Sequence, residues 1–291
     1  MYDDDFFYDL SIKADKLYLG KGPLPNRIKR YVNKRKIPPK ILRSKFLEAL
    51  KIARKQTQKI FPGLLPDNEK VEVTEVMNQS WLMYCWYLGN FLSRIEINIE
   101  KIHYWPNLLK YVCHEVYPGH HTERSVKQKY LFHDKGYFES SILLIYTPEI
   151  VISEGIGVLA ESVIFRTGES SKILLENFLP SPKEEDSLEI LIGQKEIREG
   201  FRKFESNLAY HKYVDGWNDD KLISYTKNFK VIPDEGFNSM MDFISDELWA
   251  PYILIYQGER LITEKYGNRP SPKHFQRLIS EQFLPSDLFE K

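Results

Sequence analysis

The segment that most constrains this chain runs from His114 to His121, with the sequence His-Glu-Val-Tyr-Pro-Gly-His-His. A His-Glu pair on a helix is half of the zinc-peptidase pattern H-E-x-x-H, in which two imidazoles share one helical face and the Glu acts as general base. Here Pro118 occupies the position of the second His. The usual pattern is therefore absent, and the next imidazoles come six and seven residues after His114.

A continuous helix would keep these imidazoles apart. Six residues rotate a side chain by about 600°, which turns His120 roughly 120° away from His114. Seven residues return His121 to the same face but about 10.5 Å along the axis, a long span for two Zn–N bonds of about 2.0–2.1 Å. Pro118 interrupts helical hydrogen bonding, and Gly119 tolerates unusual backbone angles. We therefore predict a break that brings His120 towards His114; the alternative is a simple surface turn.

A second segment supplies a carboxylate for such a site. Thr147 and Pro148 are typical of a helix N-terminus, and Glu154 and Glu161 lie seven residues apart on one face of the otherwise apolar helix that follows. Buried carboxylates are costly unless they are paired or bind a metal. Glu154 is the predicted third ligand, and Glu161 is predicted to orient a ligand His from behind. The alternative for both residues is a solvent-facing stripe.

The residues before the His114 segment predict a small antiparallel sheet. Alternating valines from Val71 and the aromatic run 81–87 indicate strands, and residues 88–91 resemble a hairpin turn. Ile95, Ile97 and Ile99 alternate with polar residues, as in a half-buried strand. We expect the strand near Ile95 to Asn98 to form an exposed edge that pairs with an extended peptide; the alternative is a sheet that only supports the helix.

Composition excludes several classes of protein. The 41 basic and 41 acidic residues balance, which argues against a nucleic-acid surface dominated by charge. A local basic segment, Arg27 to Lys36, indicates either a solvated face or contact with an anion. No 18-residue uncharged apolar stretch predicts a membrane span, and the first residues lack the pattern of a signal peptide. Only two cysteines are present, which fits a reducing compartment, and we expect a cytoplasmic protein.

With these segments placed, the chain resembles the domain-of-unknown-function 885 family, a group of zinc-peptidase-like proteins marked by H-E-x-x-P-G-H-H. The first match is His114 to His121. Another is His274-Phe275 through Leu278, followed by Phe283-Leu284-Pro285 and Leu288, which is similar to the family's closing segment. The resemblance covers roughly residues 70–291. Family members are commonly longer, so an N-terminal half is expected to be missing.

The Glu154 segment is also similar to the family's E-G-W-A-x-Y-x-E segment, through Glu154-Gly155 and Ala160-Glu161. Ile156 and Leu159 replace the family's Trp and Tyr, so the wall of the cleft is expected to differ. The resemblance implies a mainly α fold with a small antiparallel β-sheet, a gluzincin-like helical architecture with a cleft, related to helical carboxypeptidases and oligopeptidases. For the domains we predict an N-terminal helical segment at 1–68 and a catalytic domain at 69–291, or one continuous domain.

The resemblance also implies roles for particular residues. His114, His120 and Glu154 would hold one Zn²⁺ ion, with Glu115 as general base; the family points to His120 rather than His121, which stays the alternative ligand. Family members carry a Tyr near a late Gly, and Tyr256 is the best match here as an oxyanion stabiliser. The rivals for that role are Tyr252 and Tyr266, with core packing as the alternative for all three.

These features predict a zinc-dependent hydrolase that cleaves peptide or other amide bonds. Manganese or cobalt could replace zinc at such ligands. The expected partner is a peptide or small amide substrate, with no nucleic acid and no membrane. One alternative is a non-catalytic peptide-binding module that keeps the cleft, which the replaced aromatic residues favour. A further alternative is a structural protein with a surface His cluster, which would bind no stoichiometric metal.

Overall fold

The computed structural model describes residues 1–182 and 184–289. As predicted, the chain is mainly helical with a small sheet. Within the described residues, no helix is both long and apolar enough to span a membrane. The α-helices are α1 (Asp4–Leu17), α2 (Leu24–Asn33), α3 (Pro39–Ile60), α4 (Leu108–Glu115), α5 (His120–Lys127), α6 (Pro148–Ile164), α7 (Glu169–Asn177), α8 (Leu188–Arg202), α9 (Phe204–Tyr213), α10 (Asp219–Asn228), α11 (Asp234–Ser245), α12 (Tyr252–Ile255), α13 (Gly258–Tyr266) and α14 (Pro272–Ser280).

The strands and the shorter helical turns complete the list of elements. A π-helix follows α5, and 3₁₀ turns lie at four points of the described chain. The strands are β1 (Lys70–Val76), β2 (Met83–Gly89) and β3 (Leu92–Asn98); the π-helix is Gln128–Asp134; the 3₁₀ turns are Trp105–Asn107, Phe138–Ser141, Glu184–Asp186 and Pro285–Leu288.

The chain divides into two compact units. Unit 1 comprises Met1–Lys36 and Ser171–Leu254, and unit 2 comprises Ile37–Ser170 and Ile255–Lys291. The boundary predicted between residues 68 and 69 lies inside unit 2. It does so because α3, which the sequence pattern places in an N-terminal segment, packs on α4 and α6.

The core of unit 1 is aromatic. Phe7 of α1 makes an edge-to-face contact with Phe204 at 5.1 Å, and Phe204 stacks on Tyr225 at 5.3 Å between ring centroids. Phe229 closes the group at 5.7 Å from Phe7. Such ring pairs stabilise by about 0.5–1.5 kcal/mol beyond the area they bury. Helices α1, α9 and α10 are held together by these contacts.

The sheet of unit 2 is mixed. Its strand order is β1-β3-β2, with β1 parallel and β2 antiparallel to β3. The predicted hairpin between β2 and β3 is confirmed, but the expected edge strand is wrong. Residues Ile95 to Asn98 lie in the central strand because β1, although remote in sequence, pairs along its far side. The outer edge of β2 pairs with no other strand among residues 1–182 and 184–289.

Helix α6 lies at the centre of unit 2. Apolar residues on all of its faces are buried, including Ile152, Ile156 and Ala160, because α3, α4, α5, α13 and α14 surround it. Helix α13 approaches most closely, and a Cβ at Gly258 would lie 1.7 Å from the carbonyl oxygen of Val151. This central helix carries Glu154 and Glu161 into the interior of the unit.

Candidate metal centre

The predicted break lies between α4 and α5. Helix α4 ends at Glu115, the Tyr117–Pro118 peptide bond is cis, and α5 begins at His120. The N–H of Gly119 donates to the carbonyl of Cys113 at 2.9 Å. A Cβ at Gly119 would lie only 1.9 Å from the carbonyl oxygen of His114, so the turn has room for glycine alone. The chain thus folds back against the end of α4 before it enters α5.

This break brings three predicted ligands together. One ligand atom from each of His114, His120 and Glu154 lies within 4.8 Å of the other two. The two imidazole rings are 4.7 Å apart and nearly perpendicular, at 84°. Their Nε2 atoms lie 3.4 Å from different oxygens of the Glu154 carboxylate. The predicted convergence of His120 on His114 is present in the structure.

The position of the His114 ring depends on a residue of α6. Gly157 lies against this ring, and a Cβ there would stand 2.8 Å from its Cε1 and Nδ1 atoms. Any side chain at this position would displace the ring. Glycines at 155 and 157 of an apolar helix predict the close approach of another backbone. Gly155 does lie against the backbone of Gly258. Gly157 instead makes room for the His114 imidazole.

The donor set and its spacing fit a zinc ion. Two imidazole nitrogens and a carboxylate are the ligands of many catalytic zinc sites, which leave the fourth position open. Ligand bonds of about 2.0–2.1 Å at tetrahedral angles separate neighbouring ligand atoms by about 3.3–3.4 Å. Both His–Glu separations are 3.4 Å, which is longer than a normal N–H···O bond. The side chains of both His are 15% exposed, so solvent reaches the cluster.

Glu115 lies beside this cluster at the end of α4. It is buried, and burial raises the pKa of its carboxyl above the ordinary range. The charges of His114 and His120 oppose this effect, and the Glu154 carboxylate adds to it. A raised pKa is suited to a general base that accepts a proton near neutral pH.

The electrostatics of the ligands are those of a coupled ion pair. Burial alone would lower the pKa of His120, but the carboxylates of Glu154 and Glu123 outweigh it and raise this pKa to about 10. Burial would likewise raise the pKa of Glu154, and the two imidazoles instead hold it well below its ordinary value. Without a metal, the cluster is therefore an imidazolium–carboxylate pair, and a cation that binds there replaces a proton.

A buried polar network supports His120 from behind. Ser153 donates to Glu123 at 2.5 Å, and its Oγ lies 3.3 Å from Nδ1 of His120. Because the serine proton points to Glu123, the Oγ is an acceptor for the Nδ1–H of His120. That arrangement leaves the Nε2 atom of His120 facing Glu154. Glu123 also accepts from Lys127 at 2.8 Å, and both side chains are almost fully buried.

The sequence pattern does not predict this network. Glu123 and Lys127 are four residues apart on α5, a spacing typical of an exposed helical ion pair. Here they contact α6 through Ser153 and Glu149, and Arg124 also donates to Ser153 at 3.2 Å. The one sequence feature that points to this network is that Ser153 directly precedes the predicted ligand Glu154, which is not enough to predict its contacts.

His121 belongs to a different network. Its ring is fully buried, its Nε2–H donates to Glu69 at 2.9 Å, and its Nδ1 lies 2.8 Å from the hydroxyl of Ser93. Glu69 also accepts from Tyr117 at 2.6 Å and from Arg54 at 2.8 Å. Both ring nitrogens of His121 therefore have partners outside the donor cluster, and the structure does not bring this alternative ligand to the site.

The same network sets the protonation of Glu69. Burial would raise the pKa of its carboxyl, but the hydrogen bonds from His121, Tyr117 and Arg54 outweigh that effect and lower the pKa to about 2. Glu69 thus remains an anion at neutral pH and, just before β1, joins α3, the Tyr117 turn and α5.

The remaining predicted residues lie on α6, α12 and α13 and in the turn before α13. Glu161 is buried two turns beyond Glu154 on α6, and its role towards a ligand His stays a prediction. Tyr256 is half-buried in the turn before α13, and its role also stays a prediction. Of its rivals, Tyr266 stacks on the His274 ring at 4.5 Å, and Tyr252 belongs to unit 1.

Strand β2 supplies further residues near the donor cluster that the sequence pattern does not predict. It packs beside α4 and α5. Burial raises the pKa of Tyr84, and the nearby carboxylates of Glu115 and Glu154 raise it further. Tyr84 also contacts Trp86 at 4.5 Å and Trp81 at 5.5 Å. The unpaired edge of β2 therefore passes close to the donor cluster and carries an aromatic group.

Comparisons with known proteins support the fold alone. No protein-family model matches the chain, and no curated protein matches it. Among solved structures, the chain is similar to one described as "the putative lipoprotein from Colwellia psychrerythraea", with a TM-score of 0.62 and 12% sequence identity. The match covers 99% of this chain and 51% of the other, so the chain spans about half the length of that protein. At this identity the likeness concerns architecture and carries no function.

Proposed function

We propose that this protein is a metal-dependent hydrolase of peptide or other amide bonds, with zinc as the metal. The observation that carries the proposal is the convergence of His114, His120 and Glu154, with the buried carboxyl of Glu115 beside them. These four groups are what metal-assisted amide hydrolysis requires: three ligands with an open position, and a base. The resemblance to the domain-of-unknown-function 885 family points to the same chemistry.

The chain's own residues have distinct tasks in this proposal. His114, His120 and Glu154 would hold the ion, which would lower the pKa of bound water towards about 7 and polarise a carbonyl. Glu115 accepts a proton from the attacking water and delivers it to the leaving amine. Ser153 and Glu123 keep the Nδ1–H of His120 engaged, which directs its Nε2 into the site.

The outer edge of β2 is the element best placed to align a peptide. It pairs with no other described strand and lies beside α4 and α5. An extended chain can add to such an edge through backbone hydrogen bonds. This edge replaces the Ile95–Asn98 strand, which is paired on both sides. Tyr256 stays the proposed oxyanion stabiliser. Both cysteines are free, which supports the proposed cytoplasmic location.

Hydrolysis can be tested with one variant and one control. Protein loaded with one equivalent of zinc is incubated with a mixed peptide library, and new fragments are read by mass spectrometry. We expect cleavage by the wild-type chain and a loss of at least about a hundredfold in Glu115→Gln. The control Glu75→Gln makes the same change at an exposed position of β1 and should cleave normally.

Metal content of each variant is measured alongside cleavage. Glu115→Gln should keep its zinc, because Glu115 is not one of the three ligands. If zinc-loaded Glu115→Gln cleaved peptides at the wild-type rate, Glu115 would not be the general base. Binding of peptides without any cleavage by the wild-type chain would favour the non-catalytic peptide-binding module.

A further inference from the structure

Unit 1 contains a pocket that is independent of the donor cluster. It lies where the loop between α1 and α2 meets the exposed side of α2, and its volume is about 510 Å³. The lining is strongly basic. Four of its side chains are cations, Lys21, Arg27, Arg30 and Lys34, against the single carboxylate of Glu185. The basic segment noted in the sequence thus contributes to one concave surface.

Two of these cations already have carboxylate partners. Arg27 contacts Asp15 and also donates to the carbonyls of Asp15 at 3.0 Å and Tyr18 at 2.8 Å. Lys34 lies 3.3 Å from Glu185, which Arg35 approaches at 3.5 Å. Arg35 is buried and has its own partner in Asp186. These contacts fix the wall of the pocket.

The other two cations, Lys21 and Arg30, contact no carboxylate among residues 1–182 and 184–289. One Nη of Arg30 donates to the backbone carbonyl of Lys21 at 2.5 Å, which holds the guanidinium beside the loop. Both side chains are exposed. Counting Asp15 and Glu185 against the four lining cations leaves an excess of two positive charges.

Two further donors in the lining have no acceptor. The hydroxyl of Tyr31 and the Nε–H of Arg27 are buried without a hydrogen-bond partner in the part of the chain that the structure describes. Tyr31 is 6% exposed, and its ring lies under the Arg35 guanidinium at 4.1 Å. Buried donors without acceptors are uncommon in folded proteins.

We infer that this pocket binds a small phosphorylated molecule through Lys21 and Arg30. A guanidinium and an ammonium on one wall match the oxygens of phosphate, with Arg supplying two parallel donors. The excess of two charges matches a phosphate dianion rather than a single carboxylate. The volume falls within the range of small-molecule sites, about 300–1,000 Å³, and is larger than one phosphate group needs.

Pyrophosphate is the probe for this site, and binding is measured by isothermal titration calorimetry at constant ionic strength. We expect the double variant Lys21→Ala/Arg30→Ala to lose about a hundredfold in affinity, since each charged hydrogen-bonding group contributes about tenfold. Arg30→Lys keeps the charge but not the paired donors, so an intermediate loss is expected. The control Lys51→Ala/Lys55→Ala removes the same charge from exposed positions of α3 and should bind normally.

The unfolding midpoints of all variants are compared, because Lys21 and Arg30 are exposed and their removal should leave stability unchanged. The inference is overturned if the wild-type chain does not bind pyrophosphate. It is also overturned if the control variant loses as much affinity as Lys21→Ala/Arg30→Ala, which would indicate a general effect of charge.

Discussion

His120 and His121 are neighbours in the chain, yet they enter two sites of opposite character. His120 faces Glu154 across 3.4 Å, and with His114 it forms a cluster that solvent reaches. His121 is fully buried and bound on both ring nitrogens, at 2.8 and 2.9 Å. The first set has the spacing of metal ligands, whereas the second has the spacing of ordinary hydrogen bonds.

The His121 network supports the fold, whereas the His120 cluster is the candidate functional site. In the His121 network, Glu69 joins three elements through short hydrogen bonds, so the role of that network is to fix the turn at Tyr117 and Pro118. The donor cluster instead keeps its two imidazoles and one carboxylate too far apart for normal hydrogen bonds. The turn that the His121 network stabilises is the same turn that brings His120 to His114.

The largest expected effect is on metal affinity. His120→Ala removes one of three ligands, and we expect zinc affinity to fall on the order of a thousandfold. His121→Ala removes no ligand and should retain stoichiometric zinc in whatever fraction folds. Competition with a chromogenic chelator measures both affinities. Equal loss of zinc in the two variants, both checked as folded by circular dichroism, would break the comparison.

The next effect is on stability and has a defined pH range. The pKa of Glu69 is about 2 in the folded chain against an ordinary value of 4.5. A lowered pKa stabilises the fold above the unfolded value, and this contribution is lost as pH falls from about 4.5 to 2. Its size is about 3 kcal/mol. Urea unfolding of the wild-type chain should show this loss.

Glu69→Gln provides the corresponding variant. At neutral pH it should be less stable by about 3 kcal/mol, and its stability should change less with pH between 4.5 and 2. Zinc affinity of the folded fraction should change far less than in His120→Ala. If Glu69→Gln lost as much stability between pH 4.5 and 2 as the wild-type chain, Glu69 would not hold the turn in the manner described.

The smallest effect concerns the support of His120. Ser153→Ala removes the acceptor near Nδ1, and we expect zinc affinity to fall about 10- to 100-fold without loss of the fold. Ser162→Ala is the matched control, since Ser162 lies on the same helix and its hydroxyl donates to the carbonyl of Leu159 at 2.8 Å. Equal affinity in these two variants would remove Ser153 from a positioning role.

Local features of the fold could be predicted from the sequence. Helical periodicity shows that His120 can approach His114 only if the helix is broken between them, and Pro118 and Gly119 predict that break. Thr147-Pro148 predicts the start of α6. Two carboxylates in an apolar helix indicate a buried polar role, and both Glu154 and Glu161 are buried. These signals lie within one or two turns of helix, where spacing determines which side chains share a face.

Contacts between remote segments could not be predicted in this way. β1 pairs in parallel with β3, although β2 lies between them in the chain. The alternation of Ile95 and Ile97 predicts a strand but does not show that this strand is central. The partners of His121, Ser93 and Glu69, lie 28 and 52 residues away. Spacing around His121 carries no information about them, so its exclusion from the donor cluster required the tertiary structure.

The most direct test is zinc-edge anomalous diffraction from crystals of the chain grown with one equivalent of zinc. One peak is expected per chain, bounded by Nε2 of His114, Nε2 of His120 and the carboxylate of Glu154. No ordered zinc, or a peak on His121, would contradict the assignment of the two histidines to separate sites.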